Sequence, residues 1–212
     1  KQAVHDANDN VVIGSTSSMV SMTSGIAIGS NAVTNNTTGI ALTAVGISAL
    51  RGNTTGNNNT AIGNFALSAN TTGDNNTAIG YQTGTGNTTG VLNTAIGSRA
   101  MRVNVTGSSN TALGNEALTL NTTGSENTAL GVSALTANST GTQNVAVGKD
   151  ALYNSVGNGN TAVGYKSLYA NNGRENTALG YKSLSTNSNG FLNVAIGSKS
   201  LENLVNQSSS SL

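Results

Sequence analysis

A glycine returns along this chain at an almost constant interval, and that period constrains the fold more than any other feature. The anchor glycines are Gly14, Gly29, Gly46, Gly63, Gly80, Gly97, Gly114, Gly131, Gly148, Gly164, Gly180 and Gly197. The spacing is 15, then 17 from Gly29 to Gly148, then 16, 16 and 17. A second glycine precedes most anchors by seven residues, as at Gly39, Gly56, Gly90, Gly141 and Gly190. Two glycines in fixed phase mark two corners per unit, where the backbone needs positive φ or close approach. Self-similarity at this period is the signature of a solenoid, in which each unit buries its apolar side chains only by stacking on its neighbours.

The columns between the corners are sharply different. One before the anchor stands Ile, Val or Leu, from Ile13 to Ile196, and two before it Ala in every unit after the first. Three before it stands Thr or another β-branched residue, as in Thr60, Thr111, Val145 and Thr177; four before it, Asn runs unbroken from Asn59 to Asn193. Such short β-branched runs between Asn and Gly predict strands rather than helices. After the anchor, the third position is small and the fourth mostly Leu, with Gly84 and Met101 as exceptions, while the second carries Arg99, Glu116, Asp150, Lys166, Lys182 and Lys199. The expected fold is all-β: a parallel β-solenoid, or β-roll, of about 12 rungs and roughly 55 to 60 Å. In-register stacking would turn the Asn column into an amide ladder.

Only 8% of residues are charged and 3% aromatic, with no Pro and a net charge of +1. That combination argues against disorder, which goes with high net charge and Pro. It also gives no basic footprint for nucleic acid. No apolar run is long enough for a membrane helix, so no membrane insertion is expected. With no Cys, neither disulfides nor thiolate metal sites are available.

In each strand the Thr and Ile/Leu columns point one way and the Ala column the other. We expect Thr and Ile/Leu to fill the coil and Ala to face a second copy of the chain, its small side chain allowing close approach. Symmetric self-association is the economical form of that contact. The alternative is that Ala fits a tight turn.

Units such as "NTAIG", "NTALG" and "NVAIG", followed by "xxALxxNTTG", resemble the β-roll repeats of trimeric autotransporter adhesin heads. They look still more like the repeat regions of bacteriophage tail fibres. The resemblance covers residues 10 to 206; it lacks the adhesin neck motif, and adhesin-head units are shorter than 17 residues. It implies a homotrimer forming part of an extracellular fibre on a virion, with a bacterial surface adhesin as the alternative. It also implies attachment to a host-cell surface glycan or protein. The domain reading is a lead-in over 1–20, the repeat domain over 21–206 and a Ser-rich tail over 207–212.

His5 with Asp6 and Asp9 suggests a metal fragment, but an exposed lead-in is the simpler reading. The eight acidic residues are dispersed and the single His lies outside the repeats, so neither a triad nor a carboxylate pair is expected, and no enzyme activity or cofactor. "GxxxxGK[ST]" is absent, and calcium-binding rolls need Asp in each turn. Thr files bring ice-binding solenoids to mind, a reading that requires the Thr to be exposed. The candidate ligand-binding residues are Tyr165, Lys166, Tyr169, Tyr181 and Lys182. Tyr81, Tyr165 and Tyr181 follow their anchors directly, and Tyr153 and Tyr169 follow the Leu column. Aromatic faces stack on sugars, and Tyr adds contact area at low entropy cost. Shielding of rung edges is the structural alternative.

Overall fold

The computed structural model describes residues 10–14, 23–186 and 188–204, together with the backbone of Val4–His5. The His5 side chain, Asp6 and Asp9 lie outside the described residues. Twelve parallel strands of three residues, from Val11–Ile13 to Val194–Ile196, stack in sequence order. Each column pairs with itself: Thr60 with Thr77, Ala61 with Ala78, Ile62 with Ile79. The result is a β-solenoid with one strand per turn of 15–17 residues, and no helix occurs among the described residues. At one end Val4–His5 pairs antiparallel with Val11–Ile13 and covers the first parallel strand, as a solenoid end requires.

The anchor glycine is needed twice over. Gly63 has φ 135°, and a Cβ there would stand 2.2 Å from the Gly80 carbonyl oxygen of the next rung. The second glycine is needed for approach alone: a Cβ on Gly56 would meet the Gly73 carbonyl oxygen at 2.4 Å. Three columns of the rungs take the left-handed region, nearly always with residues other than glycine, Gly84 and Gly159 being the exceptions. Phe65 (φ 61°), Leu67 (φ 46°) and Asn58 (φ 56°) represent them. Such residues cost about 1–2 kcal/mol each. They persist because the conformation turns successive amides to both neighbouring rungs: Phe65 N–H donates to the Ile47 carbonyl (2.8 Å) and Leu67 N–H to the Thr83 carbonyl (3.0 Å).

The strand faces are the reverse of the expectation. Ala61, Ala112, Ala146 and Ala178 are completely buried, whereas Ile62, Leu113, Leu130 and Leu179 are 38–47% exposed. Thr111, Thr128 and Thr177 are exposed as well. The interior is already occupied by the Leu column after the anchor, where Leu118, Leu135, Leu152, Leu168 and Leu184 are fully buried, and by two Asn columns. What remains opposite the Leu file has room for a methyl group only, so the strand turns Ala inward and its larger residues out.

Both Asn columns are ladders. In one, Asn70 Nδ2 donates to Asn53 Oδ1 (2.8 Å), Asn87 to Asn70 (2.7 Å) and Asn104 to Asn87 (2.8 Å). Each Nδ2 also donates to the glycine carbonyl three residues on, as Asn70 does to Gly73 (3.0 Å). The other ladder is the column expected from sequence: Asn76 N–H donates to Asn59 Oδ1 (2.9 Å) and Asn76 Nδ2 to the Gly90 carbonyl (2.8 Å). Along the ladders the buried amides bond from rung to rung, which is the condition for placing them in a core.

Two irregularities stand out. Where Thr83 and Gly84 replace Ala and Leu, the apolar core divides into two clusters, leaving a cavity of about 10 Å³ between Leu67 and Met101. Where Ser155 replaces Asn in a 16-residue rung, the first ladder stops. Asn138 Oδ1 and Ser155 Oγ are buried there without a hydrogen-bond partner among the described residues.

Candidate functional site

The segment after each anchor forms an outer edge of the rod, and stacking puts its equivalent residues one above another. Over most of the length this edge carries small or polar residues such as Asn64, Ser98 and Asn115, with an Arg99–Glu116 ion pair at 3.0 Å. Between Gly148 and Gly197 it changes. Four of the chain's five Tyr and three of its five Lys stand there, and Lys199 follows two residues beyond Gly197.

The rung register converts these columns into two aromatic stacks. Tyr165 and Tyr181 lie 5.5 Å apart with planes 17° from parallel. Tyr153 and Tyr169 lie 5.3 Å apart at 5°. The Lys166 ammonium bridges the stacks, 5.4 Å from the Tyr165 ring centre and 5.0 Å from that of Tyr169. Lys182 Nζ stands 5.5 Å from the Tyr181 ring. Both are within cation–π reach. The Tyr165 hydroxyl beside it raises the Lys166 ammonium pKa above the ordinary lysine value, and Tyr169 and Asp150 add to the shift.

All five sequence-derived candidates therefore come together, and Tyr153 joins them through Tyr169. Tyr81 shares the column of Tyr165 but belongs to a distant rung. Tyr165 and Tyr181 are 37% and 45% exposed. Their orientation differs from what sugar stacking requires: the rings of each pair face one another, and lysine ammonium groups lie over others. The edge carries phenol hydroxyls and ammonium groups on partly exposed side chains. The lysine file is partly neutralised, since Glu202 stands 3.9 Å from Lys182 and 4.0 Å from Lys199. Lys166 has no ion-pair partner among the described residues.

The second surface with functional potential is the outward sheet face, with its Thr/Val file beside an Ile/Leu/Val file. It is free of charged residues from Thr43–Val45 to Val194–Ile196. Sequence reasoning placed this face inside, because its residues are the larger and more apolar of the two alternating sets. The constancy of Ala opposite them was the available signal, read there as an intermolecular contact.

Among the described residues no group of three or more His, Cys, Asp or Glu is placed to hold a metal ion. Among them also, no helix is long and apolar enough to cross a membrane. No protein-family model, no curated protein and no solved structure matches the chain.

Proposed function

We infer that the chain is a structural and adhesive segment of an extracellular fibre, a homotrimer whose three rods meet along the outward Thr and Ile/Leu/Val files. The observation that carries this reading is that sheet face. It is apolar, charge-free and continuous, with Leu113, Leu130 and Leu179 at 41–47% exposure. Contiguous apolar surface of this kind marks an interaction site. Identical rods stacked in register offer the same pattern to one another at every rung. The number three, the location on a virion tail fibre and the contact with a host-cell surface come from the resemblance of the "NTALG" and "NTTG" units. The rigid, repetitive architecture suits a spacer that holds a contact surface away from its base. A bacterial adhesin head is the alternative assignment, and a leader plus membrane-anchor barrel in the full gene would select it over a fibre. Light scattering of the purified chain tests the assembly: a mass of three chains supports the reading.

A second reading has a specific observation in its favour. Thr111, Thr128 and Thr177 stand exposed in one column of the in-register sheet, as an ice-binding solenoid requires. Thermal hysteresis measured on the purified chain decides the matter. A freezing gap that a Thr128→Lys substitution abolishes would favour ice binding, and no gap would remove it.

A further inference from the structure

We propose that the edge around Lys166 binds an acidic polysaccharide through its carboxylates, held by lysine ammonium groups and tyrosine hydroxyls rather than by stacking on aromatic faces. The inference rests on the fibre reading for its setting, and on three local observations for its chemistry. Cationic and aromatic residues are concentrated on one edge of the rungs between Gly148 and Gly197, and the same edge elsewhere is almost neutral. The faces of the Tyr165–Tyr181 and Tyr153–Tyr169 pairs are turned on each other, and Lys166 lies over two of the four rings. A sugar ring or nucleobase therefore has little aromatic face to stack on. What the edge offers is N–H and O–H donors, which call for acceptors, and anionic ones most strongly.

Lys166 is the centre of that offer. It stands between the stacks, its packing against them limits the freedom lost on binding, and among the described residues no carboxylate pairs with it. Lys182 and Lys199 continue the row, one per rung at about 4.8 Å, with Glu202 near both. A linear chain of uronate sugars presents acid groups and hydroxyls in alternation along its length. That matches an edge on which a file of cations runs beside a file of tyrosines. A binding strength that falls with salt is the expected signature.

Calorimetric titration of the intact chain with polygalacturonate tests the proposal, with neutral dextran, poly(glycerol phosphate) and oligo-dT in parallel. Polygalacturonate binds, and binds best. Lys166→Gln weakens it about tenfold, as expected for loss of a charged hydrogen bond. The Tyr165→Phe, Tyr169→Phe double variant keeps both stacks, so a purely shielding role would leave binding unchanged; the proposal expects it to weaken severalfold. All variants keep the wild-type melting temperature. Absence of polygalacturonate binding overturns the proposal, as does equal binding of neutral dextran. So does tighter binding of poly(glycerol phosphate), which would make the site a phosphodiester site, or of oligo-dT, which would make it a nucleic-acid site. Light scattering on the same sample keeps the two readings apart. A trimer that ignores polygalacturonate loses only this site, and a monomer that binds it loses only the fibre.

Discussion

At the scale of single residues, stability is decided by how closely one rung lies on the next. Gly63 has no room for a side chain because the Gly80 carbonyl occupies the place of its Cβ. Its φ of 135° is strained for any L residue as well. Gly63→Ala is therefore expected to cost about 3 kcal/mol or more, read as a fall in the thermal unfolding midpoint. Wild-type stability for this variant would mean that the rungs are not so close. The left-handed residues before and after the anchors were not legible in the sequence. Lys166, Glu116 and Leu118 hold such conformations without being glycine, so no compositional signal marked them. Only the inter-rung hydrogen bonds explain them.

At the scale of the element, the rod is held by files rather than by a central core. Most rungs add a buried Leu, worth about 1.5–3 kcal/mol, and two amides that pass hydrogen bonds along the axis. Asn104 shows the dependence: it donates to Asn87 Oδ1 and to the Gly107 carbonyl, and accepts from Asn121. Asn104→Asp replaces both donors by lone pairs facing oxygens in a dry interior. We expect a loss of about 3 kcal/mol or more at neutral pH. Burial raises the folded-state pKa of the new carboxyl above its unfolded value, about 3.9. The penalty then grows as pH rises above the unfolded pKa and fades below about pH 4. Melting curves from pH 3 to 8 measure it. By contrast Ser155→Ala removes a buried hydroxyl without a partner, so it should leave the midpoint unchanged or raise it. A drop of several degrees would show that Ser155 has a bond that the ladder argument misses.

The elements also show where sequence reading succeeds and stops. Strand position, rung period, parallel register and the ladder from Asn59 to Asn193 all follow from columns of like residues. The second ladder, through Asn53, Asn70 and Asn104, was hidden because Asn before "TTG" reads equally as turn chemistry. The inside and outside of the strand were inverted. Alternation defines two sets of residues, but which set faces inward depends on the Leu and Asn files that fill the coil from the other sides. The tyrosine site was legible in its membership, since shared columns at the rung period place residues together. The turning of the rings upon each other was not, because it is set by side-chain torsions.

At the scale of the whole molecule, a rod with one charge-free apolar face is expected to be incomplete alone. A lysine at the middle of that face, as in Leu113→Lys, points outward and leaves the coil interior untouched. It should lower the association state while the β circular-dichroism signal persists, because burying three unpaired ammonium groups around one axis is prohibitive. Persistence of the assembly in this variant would place the interface elsewhere. The most direct measurement is the mass of the wild-type chain in solution by light scattering after size exclusion. The account predicts three times the 21.1 kDa of one chain. A mass of one chain, with the β signal intact and the Thr and Ile/Leu/Val files open to water, would contradict it.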